Sequence, residues 1–184
     1  MKKVFIVIAA VAAVAVLYVW GTYNRLITVS EAVDNQWAQV ETQYQRRFDL
    51  IPNLVESVKG IFNQEQTVFG KLAEARTRYS GAQTVDQKAA AATDVESALS
   101  RLLVVVENYP ELKSAENVQT LMAQLEGTEN RISVERKRFN DSVRDFNVMI
   151  KRFPASVLAS MFGFGERAYF NAAVGAEQAP QVKL

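Results

Sequence analysis

Cysteine and histidine are both missing from the 184 residues. Without thiols the chain builds no disulfide framework and offers no thiolate nucleophile, and without either residue no Cys/His zinc site is available. The missing imidazole also removes histidine general-base catalysis and any Ser-His-Asp triad. An excess of charge of one sign is lacking too: 21 Lys and Arg stand against 20 Asp and Glu, for a net charge of +1. Surfaces that bind polyanions usually carry a clear basic excess, so nucleic acid is not expected as a partner. The eight glycines are dispersed and form no phosphate-cradling loop. No serine sits in a nucleophile-elbow or Ser-x-x-Lys setting. No catalytic residue, cofactor, metal site or small-molecule substrate is therefore inferred, and the chain reads as a non-enzyme.

What the sequence does contain is one long apolar run. Lys2 and Lys3 precede 17 unbroken apolar residues, Val4 to Trp20, and the next charge is Arg25. At about 1.5 Å per residue, the 20 uncharged residues to Tyr23 span roughly 30 Å, the thickness of a bilayer's hydrocarbon core. Tyr18, Trp20 and Tyr23 gather at one end, where amphipathic rings favour the headgroup level. A cleaved secretory signal is the rival reading. Its candidate cleavage site, Ala13-Val14-Ala15, lies inside the run and is followed by large residues, which favours an uncleaved single-pass anchor contacting lipid through residues 4–23. Arg25 is the only Lys or Arg between Gly21 and Gln45. Lys2 and Lys3 thus point to a cytoplasmic N-terminus and an exported domain, although so short a head also permits the opposite insertion.

The rest of the chain has helical periodicity throughout. Without Lys2 and Lys3, 19 basic residues face 20 acidic ones, so this part is near −1. One seven-residue series runs Val33, Val40, Arg47, Leu54, Ile61, Val68, Ala75. Its companion runs Trp37, Tyr44, Ile51, Val58, Glu65, Leu72, Tyr79. Twelve of these fourteen positions are apolar or aromatic, the mark of a helical seam. Thr28 and Glu31 form a capping-box pair at which a helix restarts. Pro52 lacks an N–H and crowds the preceding turn. Because the seam keeps phase across it, the expectation is one helix from Val33 to Tyr79 kinked at Pro52; a hairpin near 49–53 is the alternative.

Thr84 and Gln87 make a second capping box, opening a helix through Val95, Leu99, Leu102, Leu103 and Val106 that ends at Tyr109-Pro110. Ser114 is read as the cap of the next helix. That helix places Val118, Leu125, Ile132, Phe139, Phe146 and Phe153 seven apart, beside a second row of Met122, Glu129, Arg136, Val143 and Ile150. Phe153-Pro154 closes it, and Ser156–Met161 forms a short helical piece. Long amphipathic helices with short connections give an antiparallel bundle. The expected fold is all-α: a transmembrane helix (1–23), then a four-helix, up-and-down bundle (24–175) and a flexible tail (176–184).

Arg47, Glu65, Glu129 and Arg136 are the polar residues in these seams. A buried charge is costly unless paired, so they are expected to pair with one another and set register between apolar layers. A carboxylate metal site is the sharper alternative, but such bundles use Glu-x-x-His, and two glutamates beside two arginines suit ion pairing better. Losing one partner of a buried pair typically costs about 3–5 kcal/mol, so Glu129→Ala is expected to loosen the bundle. Arg46-Arg47 and Lys137-Arg138 read as solvated faces rather than lipid or nucleic-acid contacts. Phe162, Phe164, Tyr169 and Phe170 form an aromatic group that either folds over the bundle's open end or dips into a membrane.

Several strings resemble a known family. Arg46-Arg47-Phe48-Asp49-Leu50-Ile51-Pro52-Asn53-Leu54-Val55-Glu56, continuing to Val58-Lys59-Gly60, is similar to the signature of the LemA family. So are Tyr23-Asn24-Arg25-Leu26, Glu107-Asn108-Tyr109-Pro110-Glu111-Leu112-Lys113 and Thr128-Glu129-Asn130-Arg131-Ile132. Further similarities are Arg136, Phe139-Asn140-Asp141, Val143, Phe146-Asn147, Phe153-Pro154, Gly163-Phe164 and Tyr169-Phe170. Phe139 and Phe146 depart from the pattern, standing where an aromatic with a hydroxyl is frequent. The resemblance implies a bacterial protein of the cytoplasmic membrane with an N-terminal membrane helix and a helical bundle, and it supplies no catalytic site. The expected role is a scaffold or adaptor that self-associates or binds other membrane proteins through an uncovered helix face around Trp37 and Tyr44. A carboxylate-based metal or enzymatic bundle, or an accessory subunit of a membrane protease, is the alternative.

Overall fold

The computed structural model describes residues 1–58 and 66–170, without the side chains of Asp86 and Lys113. Its elements are α1 (Lys2–Ser57), α2 (Gln66–Gly81), α3 (Val85–Glu107), α4 (Pro110–Lys113), α5 (Glu116–Lys151) and α6 (Ala155–Met161), with no strand among the described residues. The chain is all-α, as its periodicity predicts. It divides into two compact units, one of Met1–Ala38 with Lys137–Tyr169 and one of Gln39–Arg136 with Phe170–Leu184.

The second unit is an up-down-up-down helix bundle. The Tyr79 ring of α2 lies 5.3 Å from Tyr44 and 4.6 Å from Phe48 of α1, so α2 runs back along α1. Arg78 bonds Asp94 at 3.0 Å across the α2–α3 turn. Lys88 and Glu96 of α3 pair with Glu41 and Tyr44 of α1 in rising order, so α3 runs parallel to α1. Asn117 of α5 donates to Ser57 at 3.2 Å, while Arg136 reaches Tyr44, so α5 is antiparallel to α1. Val40, Tyr44, Ile51, Leu54, Leu72, Ala75, Val95, Leu99, Leu102, Val106, Val118, Leu125 and Ile132 are buried.

Several sequence expectations change here. The helix expected from Val33 to Tyr79 is two helices, α1 ending at Ser57 and α2, from Gln66, running back along α1. Pro52 lies inside α1, which continues past it to Ser57, so no hairpin lies at 49–53 either. The two helices happen to share one seven-residue phase, and a phase does not record a change of direction. Ile61 and Glu65 fall outside the described residues, as does the tail from 176. The Thr84–Gln87 capping box is present, with the Gln87 amide donating to Thr84 Oγ1 at 3.2 Å and the Thr84 amide to Gln87 Oε1 at 3.3 Å. Thr28 starts no helix: its hydroxyl donates to the Asn24 carbonyl at 2.9 Å inside α1. Ser114 ends α4, with its hydroxyl on the Glu111 carbonyl at 3.1 Å, and does not open α5.

The first unit pairs the stretch of α1 that follows the apolar run with the end of α5. Leu26, Val33, Phe139, Val143 and Phe146 are buried, and Trp37 packs edge-on to Phe139 at 5.2 Å. Phe153 continues the spacing of its row but is 84% exposed, because α5 ends at Lys151 and the register no longer applies. Asn147 is buried and clamps the returning chain, donating to the Arg167 carbonyl and accepting from its amide, both at 2.9 Å. α6 closes in a Schellman turn: Phe164 N–H reaches the Ala159 carbonyl at 2.9 Å, Gly163 N–H the Ser160 carbonyl at 3.4 Å, and Gly163 sits at φ +77°. The turn sets Phe164 within 6.4 Å of Phe146 and 6.3 Å of Tyr23. A Cβ at Gly163 would meet nothing within 4 Å, so Gly163→Ala costs only left-handed backbone strain, about 1–2 kcal/mol. Faster amide exchange confined to Phe162–Phe164 checks this; unchanged exchange there would contradict it.

Candidate functional site

Heptad geometry turns four charged side chains of the second unit inward. Arg47 on α1 is 6% exposed. It bonds Glu129 of α5 and stands 3.8 Å from Glu96 of α3. Arg136 of α5 bonds Glu96 and the Tyr44 hydroxyl, and that hydroxyl donates to Glu96 at 3.2 Å. The Arg136 guanidinium also lies 5.4 Å from the Tyr44 ring centroid and 4.4 Å from that of Phe170. Two cations and two anions thus neutralise each other across three helices. Burial, reinforced by the Glu96 charge, pushes the Tyr44 phenol well above its ordinary value, so it stays protonated and donates.

The seams bring Arg47 and Glu129 together, while Arg136 bonds Glu96, with the Glu129 charge acting on it at longer range. Glu65 lies outside the described residues. Glu96 is the member that seam counting overlooked. Its signal was present: Ala89, Glu96 and Leu103 are seven apart on α3, flanking the buried row Ala92, Leu99, Val106. Glu129 is 44% exposed and Glu96 24%, which moves the energetic centre of the cluster from Glu129 to Glu96. The reading of Arg46-Arg47 as a solvated pair holds for exposed Arg46 alone.

The cluster forms one wall of an open groove of about 680 Å³ between α3 and α5, lined by Leu99, Leu103, Met122 and Glu126 beside Arg47 and Glu96. A second groove, about 820 Å³, lies between α1 and α2 along Ile51, Val55, Phe69 and Ala73. No three Asp or Glu among the described residues gather as a metal site. The uncovered face expected around Trp37 and Tyr44 is absent: Tyr44 is fully buried, and Trp37 is half-buried on Phe139.

The LemA family pattern matches residues 36–184. The chain belongs to the LemA family. Magnetosome proteins MamQ 1 and MamQ 2 of Paramagnetospirillum magneticum are each 28% identical to it over 191 residues, covering 90% of this chain and 70% of theirs. Magnetosome protein MamQ of Magnetospirillum gryphiswaldense is 28% identical over 175 residues, covering 81% of this chain and 64% of its own. The LemA match contains all four members of the charge cluster. Ahead of it lies the apolar part of α1, the one stretch among the described residues long and apolar enough to cross a membrane, and no residue of its most apolar window is buried.

Proposed function

We propose that this LemA-family chain is a single-pass, non-enzymatic scaffold or adaptor of the bacterial cytoplasmic membrane, acting through self-association or through other membrane proteins. Residues 1–23 serve as the anchor and 24–175 as the bundle that works. The observation carrying this reading is the exposure of most of the apolar run: Val4, Phe5, Ile6, Val7, Val11 and Leu17 are each 60% exposed or more. A stretch so apolar has no partner in its own fold, and a bilayer supplies one. Lys2 and Lys3 ahead of the run favour a cytoplasmic N-terminus with the bundle on the exported side.

A non-enzymatic role is supported by the internal pairing of the inward charges, which Arg47, Glu129, Arg136 and Glu96 spend on each other. Those residues act as a register lock between helices, and Pro52 is accommodated in the exposed wall of the α1–α2 groove. Surface grooves with apolar floors accept amphipathic helices from a partner. The relatives' name, magnetosome protein, fits service on a membrane. In-membrane crosslinking of the full chain, read by mass spectrometry, tests the proposal. Crosslinks between copies or to other membrane proteins are expected, at residues bordering the two grooves. A chain that stays monomeric in mild detergent, with no crosslinked partner in the membrane, would sink it.

A further inference from the structure

The first unit carries an apolar patch that its own packing leaves uncovered. Val157 and Met161, one turn apart on α6, are 52% and 72% exposed, and Phe153, in the corner just ahead of α6, is 84% exposed, while Leu158 and Ala159 of α6 are buried. Phe162 adds to the patch, half in contact with Tyr23, whose ring centroid lies 4.7 Å away. The position of this corner along α1 is informative. Phe153 and Pro154 border one groove with Tyr18, Thr22 and Arg25, so the α5–α6 corner reaches back alongside the last turn and a half of the apolar run.

We infer that the Phe153–Phe162 corner is a second membrane contact, an interfacial wedge that enters the same leaflet in which Tyr18–Tyr23 ends the anchor. This rests on the reading of Val4–Tyr23 as membrane-spanning. The depth follows from helix geometry. Five residues separate Tyr23 from Tyr18, which at about 1.5 Å each is roughly 7.5 Å. Interfacial helices bury their apolar faces about 5–10 Å into the headgroup–acyl boundary. An anchor whose aromatic end sits at the headgroups therefore carries Phe153 and α6 down to that depth.

The chemistry of the patch matches the lipid boundary better than water or bulk hydrocarbon. Phe153, Val157 and Met161 supply apolar contact, Ser156 and Ser160 supply hydroxyls, and exposed Arg25 and Arg152 on the same groove stand where lipid phosphates lie. In water three large apolar side chains at one corner would be left solvated, whereas single exposed ones are ordinary. The exposed patch and the exposed anchor adjoin, so a single bilayer surface covers both.

The natural absence of cysteine makes the test clean. Four single-cysteine variants of the full chain, Phe153→Cys, Val157→Cys, Val11→Cys and Lys71→Cys, are labelled with an environment-sensitive dye and placed in phosphatidylcholine–phosphatidylglycerol vesicles. Each is quenched with lipid carrying a nitroxide near the headgroup, with lipid carrying it deep in the acyl chain, and with aqueous iodide. The probes at 153 and 157 are expected to be quenched several-fold more by the shallow nitroxide than the probe at 71 and to be shielded from iodide. The probe at 11 should respond most to the deep nitroxide. If 11 reads deep while 153 and 157 behave like 71, the wedge is refuted and the anchor stands. If 11 itself behaves like 71, the anchor reading fails and takes the wedge with it. Probes at 153 and 157 shielded from iodide but untouched by either lipid would mean a protein surface covers the patch, which also overturns the inference. Met161→Cys repeats the measurement from the other end of the patch, should either labelled variant lose its helical circular dichroism.

Discussion

Replacing Glu96 by alanine is expected to lower the unfolding free energy of the bundle by about 3 kcal/mol, the lower end of the range for removing one partner of a buried ion pair. Glu96 accepts from Arg136 and Tyr44 and stands beside Arg47. Its loss takes from Arg136 its bonded carboxylate, leaving the Tyr44 hydroxyl and the Phe170 ring, and takes from the Tyr44 phenol its acceptor. Glu129→Ala is expected to cost only about 1 kcal/mol, since half-exposed pairs are screened by water and Arg47 keeps Glu96 at 3.8 Å. Thermal unfolding of the two variants in mild detergent, followed by circular dichroism, checks the order. Equal losses, or a larger one for Glu129→Ala, would show that the cluster is not centred on Glu96. The double change Glu96→Leu with Arg136→Leu should cost less than Glu96→Ala, because an apolar replacement of a buried pair leaves no uncompensated charge.

Phe139→Ala should be comparably severe, about 3–5 kcal/mol, as for other buried phenylalanines truncated to alanine. Phe139 is 2% exposed and seats the Trp37 ring. Trp20 and Trp37 are the only tryptophans, so in a Trp20→Phe background Trp37 emission reports this site alone and should shift to the red. Phe153→Ala provides the contrast. It falls in the same seven-residue row, yet Phe153 is exposed, and exposed substitutions usually stay within about 0.5 kcal/mol of neutral. Similar losses for the two variants would mean that the row, and not burial, governs stability.

That contrast shows where periodicity stops being informative. Val118, Leu125, Ile132, Phe139 and Phe146 are all buried, because each lies inside one continuous helix and a rigid 3.6-residue repeat carries the face forward. Phe153 keeps the count but lies past Lys151, where the helix has ended. The Val33–Tyr79 series fails for a related reason. Its described residues, Val33 to Val58 and Val68 to Tyr79, are buried or half-buried, but a count of sevens is the same for one helix as for two antiparallel ones. Thr84 and Gln87 were legible as a cap because both partners of the box are local. Thr28 and Glu31 have the same spacing, but strong helix on both sides leaves the Asn24 carbonyl as the nearer partner for Thr28. The charge cluster was legible in the same partial way: Arg47, Glu129 and Arg136 sit on seams, whereas Glu96 required knowing which face of α3 meets α1.

By itself, then, the sequence determined the helical class, the apolar run, the inward rows of each helix and the family, all of which depend on neighbours within a few turns. The absence of cysteine and histidine likewise needed no fold to exclude thiol and imidazole chemistry. Only the tertiary structure decided that α2 runs back along α1, that Glu96 joins Arg47 to Arg136, and that α6 returns beside the end of the apolar run with Phe153, Val157 and Met161 uncovered. Those outcomes depend on which helices lie side by side, and contacts between residues 40 to 140 positions apart leave no period in the sequence.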